Sequence, residues 1–151
     1  MPKMNLDRHV PHSPARMFDL VADLESYPRF VPNCAAMTVR PDPVDPNVRL
    51  GRMTLRFGPV SQAYTSRVEL DRDAMSIAAT AVDGPFHHLD SLWRFEPEGQ
   101  GTAISFTIDF RFSNGLIAAL AEPVFTSKQD EILDAFLREA DRRYRSSLPA
   151  A

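Results

Sequence analysis

The stretch AISFTIDFRF, residues 103–112, decides the fold class of this 151-residue chain. Apolar and polar side chains alternate along it, and the apolar ones are Ile104, Phe106, Ile108, Phe110 and Phe112. Alternation with a period of two is typical of an antiparallel strand that has one face in the core and the other in water. The stretch therefore predicts a half-buried strand at the edge of the core.

The residues before this strand repeat the same alternation. Four further stretches are predicted strands: VRLGRMTLRF (residues 48–57), QAYTSRVEL (62–70) and FHHLDSLWRF (86–95), which place apolar residues at every second position, and SIAATAV (76–82), which is a short strand of small residues. The segments between them are short and rich in Pro, Gly and Asp, which are turn-forming residues. Short connections join antiparallel strands, because parallel strands need long crossovers. Residues 35–113 therefore predict a meander of about six strands, and residues 4–10 add a first strand.

Helices are expected on both sides of the meander. Ser13 is a good N-cap and Pro14 suits the first helical position, which predicts a helix over residues 14–24 with a short second helix or turn after it. At the other end we expect a long helix, which Pro123 kinks or divides. Its apolar stripe follows helical spacing and consists of Ile132, Leu133, Phe136, Leu137, Ala140 and Tyr144.

One apolar sheet face and one apolar helix stripe must cover each other. We therefore predict an α+β fold in which a curved antiparallel sheet of six to seven strands wraps around the long C-terminal helix, with one or two short helices after the first strand. The length and the hydrophobic content of 44% fit a single domain over residues 1–151, with its core at about 4–145.

Charge and cysteine content limit the function classes. The net charge of −3 disfavours DNA binding, which usually needs a basic surplus. No apolar run is long enough for a transmembrane helix, and the N-terminus shows no secretory signal. Cys34 is the only cysteine, so no disulfide can form within the chain. We expect a cytoplasmic protein, with peripheral contact at the inner face of the membrane as an option.

The segment ESYPRFVPNC, residues 25–34, is unusual because two prolines flank bulky apolar side chains. Neither a helix interior nor a central strand tolerates such prolines. We interpret these residues as a cover segment that closes an internal cavity. Phe30 and Val31 are expected to point inward over the mouth, with Tyr27 at the rim.

Three stretches together resemble the coenzyme Q-binding family of START-like proteins, to which ribosome-association toxins also belong. They are LVADLESYPRFVPNC (residues 20–34), GPFHHLDSLWRFEP (84–97) and IDFRFSNGLIAAL (108–120). The resemblance implies the helix-grip fold, in which a deep apolar cavity lies between the sheet and the long helix. It also implies that ubiquinone binds there as a ligand, without chemistry on it. The aromatic residue that corresponds to Trp93 is implicated in quinone binding in that family.

We expect the ligand to contact residues of the cover, the sheet and the long helix: Tyr27, Phe30, Val31, Phe57, Leu89, Trp93, Phe106, Leu120 and Val124. The small residues of SIAATAV favour an unfilled volume on the inner face, since alanines there leave space that a ligand could occupy. No catalytic residue or metal site is expected, because nucleophile motifs and metal-ligand spacings are missing. His87 and His88 are adjacent in a strand and so point to opposite faces.

The leading interpretation is a carrier or chaperone for ubiquinone, or a similar isoprenoid lipid, that supports respiratory electron transport. One alternative is a ribosome-association toxin that binds the large subunit and blocks subunit joining. An arginine cluster near the C-terminus could contact rRNA, although Glu139 and Asp141 dilute its charge; its members are Arg138, Arg142, Arg143 and Arg145. The other alternative is an enzyme related to aromatases and cyclases, which would need a positioned acid or base in the cavity.

Overall fold

The computed structural model describes residues 3–57 and 60–144 of the chain. It begins with strand β1 (Lys3–Val10), helix α1 (Pro14–Ala22) and a 3₁₀ helix (Leu24–Arg29). Six strands follow: β2 (Cys34–Pro41), β3 (Val48–Phe57), β4 (Val60–Asp71), β5 (Ser76–Ala81), β6 (Phe86–Glu98) and β7 (Gly101–Phe112). The last element is helix α2 (Gly115–Tyr144).

The seven strands form one curved antiparallel sheet in the order β1-β7-β6-β5-β4-β3-β2. Strands β2 to β7 are a meander, and β1 returns to pair with β7. The alternating apolar residues of β7 are all buried on the inner face, as their period predicts. Helix α2 packs on that face, with the ring of Phe125 4.6 Å from Phe110 and the ring of Phe136 5.0 Å from Trp93. The predicted α+β helix-grip architecture is therefore confirmed, with seven strands.

Helix α1 begins where its capping residues place it. The Ser13 hydroxyl accepts a hydrogen bond from the Arg16 amide at 3.3 Å, and Pro14 occupies the first turn. The helix ends at Ala22, two residues before the predicted end, and the chain continues into the 3₁₀ helix that contains Pro28. A proline in this tighter helix is tolerated because the segment is short and lacks the long α-helical hydrogen-bond ladder.

Helix α2 begins at Gly115 and runs through Pro123, so of the two outcomes expected for this proline, a kink or a division, the division does not occur. Proline removes the hydrogen bond to the carbonyl four residues earlier, which belongs to Ala119. Both Ala119 and Pro123 lie on the exposed side of α2, where water can solvate the freed carbonyl group. The proline is therefore accommodated within one continuous helix.

A charged network fixes the end of α2 against the start of the 3₁₀ helix. Glu139 is 7% exposed and accepts hydrogen bonds from the guanidinium groups of Arg142 and Arg143, at 2.6–2.8 Å. Arg143 also binds Asp23 at 3.1 Å and the Ser26 hydroxyl at 2.9 Å. The hydrogen bonds from Arg142 and Arg143 lower the pKa of Glu139 to about 2, although burial opposes this shift.

Replacing the buried carboxylate should therefore make the fold less stable in a pH-dependent way. We expect Glu139→Gln to lower the free energy of unfolding at pH 7 by about 1–3 kcal/mol, because charge-assisted hydrogen bonds become neutral ones. The carboxylate stabilises the fold fully above its ordinary pKa of 4.5, and this contribution is lost as the pH falls toward 2. Urea unfolding at pH 7, 5, 3 and 2 should show the difference from wild type shrinking below pH 4.5.

Glu131→Gln is the matched control, because Glu131 lies on the same helix with its side chain 57% exposed and paired with Lys128. This substitution should change stability by less than about 0.5 kcal/mol. A difference between wild type and Glu139→Gln that stays constant from pH 7 to pH 2 would contradict the stabilising role of the ionised carboxylate.

Candidate functional site

A cavity of about 130 Å³ lies between the inner face of the sheet and helix α2. Val21, Leu24, Tyr27 and Val31 close it from α1 and the cover segment. The α2 residues that line it are Phe125, Gln129, Ile132 and Phe136, which follow one another at helical spacing. The remaining wall is the inner face of strands β2 to β7, so every layer of the fold contributes to one partly enclosed, mostly apolar space.

Small residues in the middle of the sheet produce this space. Gly51, Ser66, Ala79 and Ser91 all line the cavity, and they occupy four consecutive strands, β3 to β6. In the register, Gly51 pairs with Ser66 and Ala79 pairs with Ser91, so the short side chains are grouped. A void of about 130 Å³ costs about 3 kcal/mol when nothing fills it.

Closely packed aromatic rings form one part of the cavity wall. The indole of Trp93 lies 4.6 Å from the ring of Phe106 and 5.0 Å from that of Phe136, and it is 7% exposed. Trp93 is therefore a packing residue of the cavity wall.

Five of the nine residues expected to contact the ligand line the cavity: Tyr27, Val31, Leu89, Trp93 and Phe106. Phe30 does not line it; its ring packs on Tyr27 at 6.0 Å and on Phe136 at 5.1 Å, behind the wall. Phe57 is the last residue of β3, and its side chain lies outside the described residues. Ligand contact itself stays a prediction for all of these residues.

Leu120 and Val124 do not lie where a cavity position would put them. They are 71% and 38% exposed, and Leu116, one turn before Leu120, is 72% exposed. The inner face of α2 instead carries residues one position later along the chain, Ala121 and Phe125. The two stripes have the same spacing of four residues, and the larger ring of Phe125 determines which of them packs on the sheet.

In the cover segment neither Tyr27, expected at the rim, nor Phe30, expected to point inward, lies where it was predicted. Tyr27 is buried and lines the cavity, and its hydroxyl donates a hydrogen bond to the Val21 carbonyl. Burial raises the pKa of Tyr27 far above its ordinary value, so this donor stays protonated. Phe30 is half-buried next to the guanidinium of Arg143, whereas Val31 points inward as predicted.

Three polar residues of the wall were missed by the analysis of the sequence: Ser66, Ser91 and Gln129. The information for the two serines was available, because Ser66 has the parity of Tyr64 and Val68, and Ser91 has the parity of Leu89 and Trp93. Gln129 is 2% exposed and lies one turn after Phe125, in a polar stretch that masks its inward position.

Among the described residues, the cavity wall holds no charged side chain, and its titratable groups are the tyrosine hydroxyls. Burial raises the pKa of Tyr64, as it does for Tyr27. Cys34 lies outside the lining, and burial raises its pKa to about 11, which makes it a poor nucleophile. Over the described ranges, no three His, Cys, Asp or Glu side chains come together in a group that could hold a metal ion. The site as built is suited to enclosing an apolar molecule.

Comparison with known proteins gives a consistent family. A family model described as polyketide cyclase / dehydrase and lipid transport matches residues 10–137. The ribosome association toxin RatA of Rickettsia prowazekii is 32% identical over 136 residues, which cover 87% of this chain and 90% of that protein. The mitochondrial coenzyme Q-binding protein COQ10 homolog B of Xenopus laevis is 30% identical over 90% of this chain, which spans 57% of that protein.

Among solved structures, the Zhui aromatase/cyclase from Streptomyces sp. R1128 superposes with a TM-score of 0.84 over 99% of both chains. Its sequence identity is 19%, so this likeness concerns the fold. The two curated relatives are named as a binding protein and a toxin, and the resemblance read from the sequence is confirmed. In the described ranges, no helix combines the length and apolar character needed to cross a bilayer.

If residues 25–34 form a cover that opens, their amides should exchange with solvent while the sheet stays intact. The amides of Phe30 and Val31 donate to the Tyr27 carbonyl, and the Cys34 amide donates to the Val31 carbonyl. We expect these three amides to exchange through local opening, with a lower free energy than the amides between β6 and β7. Tyr27→Phe, which removes the bond to Val21, should speed their exchange by about fivefold, corresponding to about 1 kcal/mol.

Native-state hydrogen exchange followed by NMR measures these rates. Tyr144→Phe is the control, because Tyr144 also loses only a hydroxyl and its ring packs on His12 and Arg16, outside the cover segment. If the cover amides exchange only through global unfolding, with the same free energy as β6 and β7, the segment is a fixed corner of the core.

Proposed function

The chain belongs to the polyketide cyclase / dehydrase and lipid transport family, and we propose that within this family it binds ubiquinone, or a similar isoprenoid quinone, as a carrier without catalysing a reaction on it. The observation that carries the proposal is the partly enclosed apolar cavity between the sheet and α2, in whose wall the described residues place no charged side chain. Apolar burial provides the binding free energy, at about 25 cal/mol per Å² removed from water. The coenzyme Q-binding relative supports the choice of ligand.

The volume of the cavity indicates which part of the ligand it would hold. About 130 Å³ is close to the volume of a cavity that accepts one benzene ring, and it is well below the 300–1,000 Å³ of ordinary ligand sites. The quinone ring would fit, whereas a long tail would not. The tail must therefore leave the cavity or bind after the cover has opened, which matches a carrier that exchanges its ligand with a membrane. We place this role in the cytoplasm, at the inner face of the membrane.

The wall also argues for binding in preference to turnover. An aromatase or cyclase needs an acid or a base beside its substrate. His12 and His88, which could serve, bind Asp141 and Asp109 at 2.8 Å and 3.0 Å and do not line the cavity. The likeness to an aromatase/cyclase is one of fold, at 19% identity.

A ligand test follows directly from the cavity. Organic extracts of freshly purified protein should contain an isoprenoid quinone by mass spectrometry, and added quinone should quench Trp93 fluorescence, because Trp93 is the only tryptophan and lies in the wall. Ala79→Leu should fill the cavity, abolish binding and leave stability unchanged or raised, since the void becomes smaller. Ala78→Leu, on the outer face of the same strand, should bind as wild type does.

Two results would count against quinone binding. One is an extract without quinone from a protein that also fails to bind added quinone. The other is a folded Ala79→Leu variant that binds as tightly as wild type, which would place the ligand elsewhere. Conversion of the quinone to a new product would instead favour an enzyme.

The second candidate is a ribosome-directed toxin, which the 32% identity to a ribosome association toxin favours. The positive charge that the arginine cluster offers to a partner is smaller than its sequence indicates, because Arg142 and Arg143 are bound to Glu139. Arg138 is exposed and pairs with no carboxylate of the described residues, whereas Arg145 lies outside them. We expect this surface to bind rRNA weakly.

Accordingly, the protein should not co-sediment with large ribosomal subunits at physiological salt. Arg138→Glu is the informative variant, because it reverses an exposed charge without breaking the Glu139 network. Co-sedimentation that falls steeply with salt and is lost in Arg138→Glu would contradict the expectation and support the toxin role. Arg111→Glu, an exposed arginine at the end of β7, controls for a general loss of positive charge.

A further inference from the structure

Three polar side chains of the cavity wall have hydrogen-bonding capacity that the protein leaves unused. They are Ser66 on β4, Ser91 on β6 and Gln129 on α2. Ser66 and Ser91 are half-buried, and neither hydroxyl makes a hydrogen bond to another group of the described residues. A hydroxyl that faces a cavity bonds to water when the cavity is empty, so a ligand that displaces this water must replace the bond. These three side chains therefore indicate the chemistry of the ligand that the cavity binds.

Gln129 is fixed in a defined orientation. It is 2% exposed, and its amide nitrogen donates to the Phe125 carbonyl at 3.0 Å within the same helix. Only the nitrogen of a side-chain amide can donate to a carbonyl, so this bond determines which atom of the amide is nitrogen. The Gln129 carbonyl oxygen and its second N–H remain available on the helix side of the cavity.

Ser66 and Ser91 lie on the sheet side of the cavity, and β5 separates their strands. Ser66 pairs with Ala81, two residues along β5 from Ala79, so the two serines lie about 12 Å apart, two strand spacings across and two residues along the strands. Between them stands Ala79, which pairs with Ser91 on one side and with Val68 on the other. The floor of the cavity is thus a small apolar surface with one hydroxyl near each end, and an amide faces it from above.

We propose that Ser66, Ser91 and Gln129 select a ring that carries oxygen atoms on opposite sides. The two serine hydroxyls would each donate to one ring oxygen, and Gln129 would bind one of these oxygens from the helix side. The ring itself would lie on Ala79. This assignment rests on the proposed function and adds to it the groups that distinguish a quinone ring from a hydrocarbon of the same size. An isoprenoid tail alone could not satisfy these three side chains.

The test compares two probes on two variants. The probes are a ubiquinone with a one-isoprene tail and n-butylbenzene, whose ring carries no oxygen, and binding is measured by calorimetry. Ser66→Ala with Ser91→Ala removes two hydroxyls with little change in volume, and Gln129→Met removes the amide. We expect each variant to bind the quinone about tenfold more weakly and n-butylbenzene as well as wild type does. Ser105→Ala, on the outer face of β7, should change neither affinity.

The outcomes separate this inference from the function on which it rests. If wild type does not bind the quinone, both the function and the inference are wrong. If wild type binds it and the serine double variant binds it equally well, only the inference is wrong. Equal loss of both probes would mean that the substitutions changed the shape of the cavity, which also overturns the inference, and circular dichroism with urea unfolding establishes that each variant is folded.

Discussion

The structure depends on the distance at which aromatic side chains hold helix α2 above the sheet. Phe125 packs among Phe86, Phe110 and Phe112, and three helical turns later Phe136 packs on Trp93 and Tyr27. The two phenylalanines are 11 residues apart, or about 16 Å along the helix. Between these two contacts the sheet presents its small residues, which cannot reach the helix. The cavity is therefore a direct consequence of large rings at both ends of the interface and short side chains in its middle.

The same spacing explains the prolines of the cover segment. A helix held away from a curved sheet leaves one side of the gap open, and the chain between α1 and β2 must close it in few residues. Pro28 and Pro32 fix φ and so reduce the entropy that the segment loses on folding. Two local contacts complete the closure: the Tyr27 hydroxyl binds the Val21 carbonyl, and Arg143 binds Asp23 and Ser26. The cover is therefore attached at both ends, because the Asn33 carbonyl accepts a hydrogen bond from the Arg56 amide at 2.8 Å and the Asn33 side-chain amide donates to the Arg56 carbonyl at 2.9 Å. Residues 30–32 are held mainly by turns and side-chain packing.

Much of the fold and of the cavity wall could be predicted from the sequence, because the face of a strand on which each residue lies is a local property of the sequence. The alternation in residues 103–112 and in the four stretches before it identified the inner face, and with it Leu89, Trp93 and Phe106. The side of α2 that faces the sheet could not be predicted in the same way, because two apolar stripes, one with Leu120 and Val124 and one with Ala121 and Phe125, have the same period. Only the fit of Phe125 among three other rings decides between them. Gln129 was missed for a related reason, since a glutamine is usually assigned to the wet face unless the packing around it is known.

A cavity of this kind links stability to occupancy. The void costs about 3 kcal/mol when it is empty, so a ligand that fills the space stabilises the whole fold. Among the described residues of the wall, the titratable groups are the hydroxyls of Tyr27 and Tyr64, and burial raises the pKa values of both, so they stay protonated near neutral pH. A ligand in the cavity would therefore act on the protein through packing. Because α1, the sheet and α2 all contribute to the wall, its binding would stabilise their contacts together.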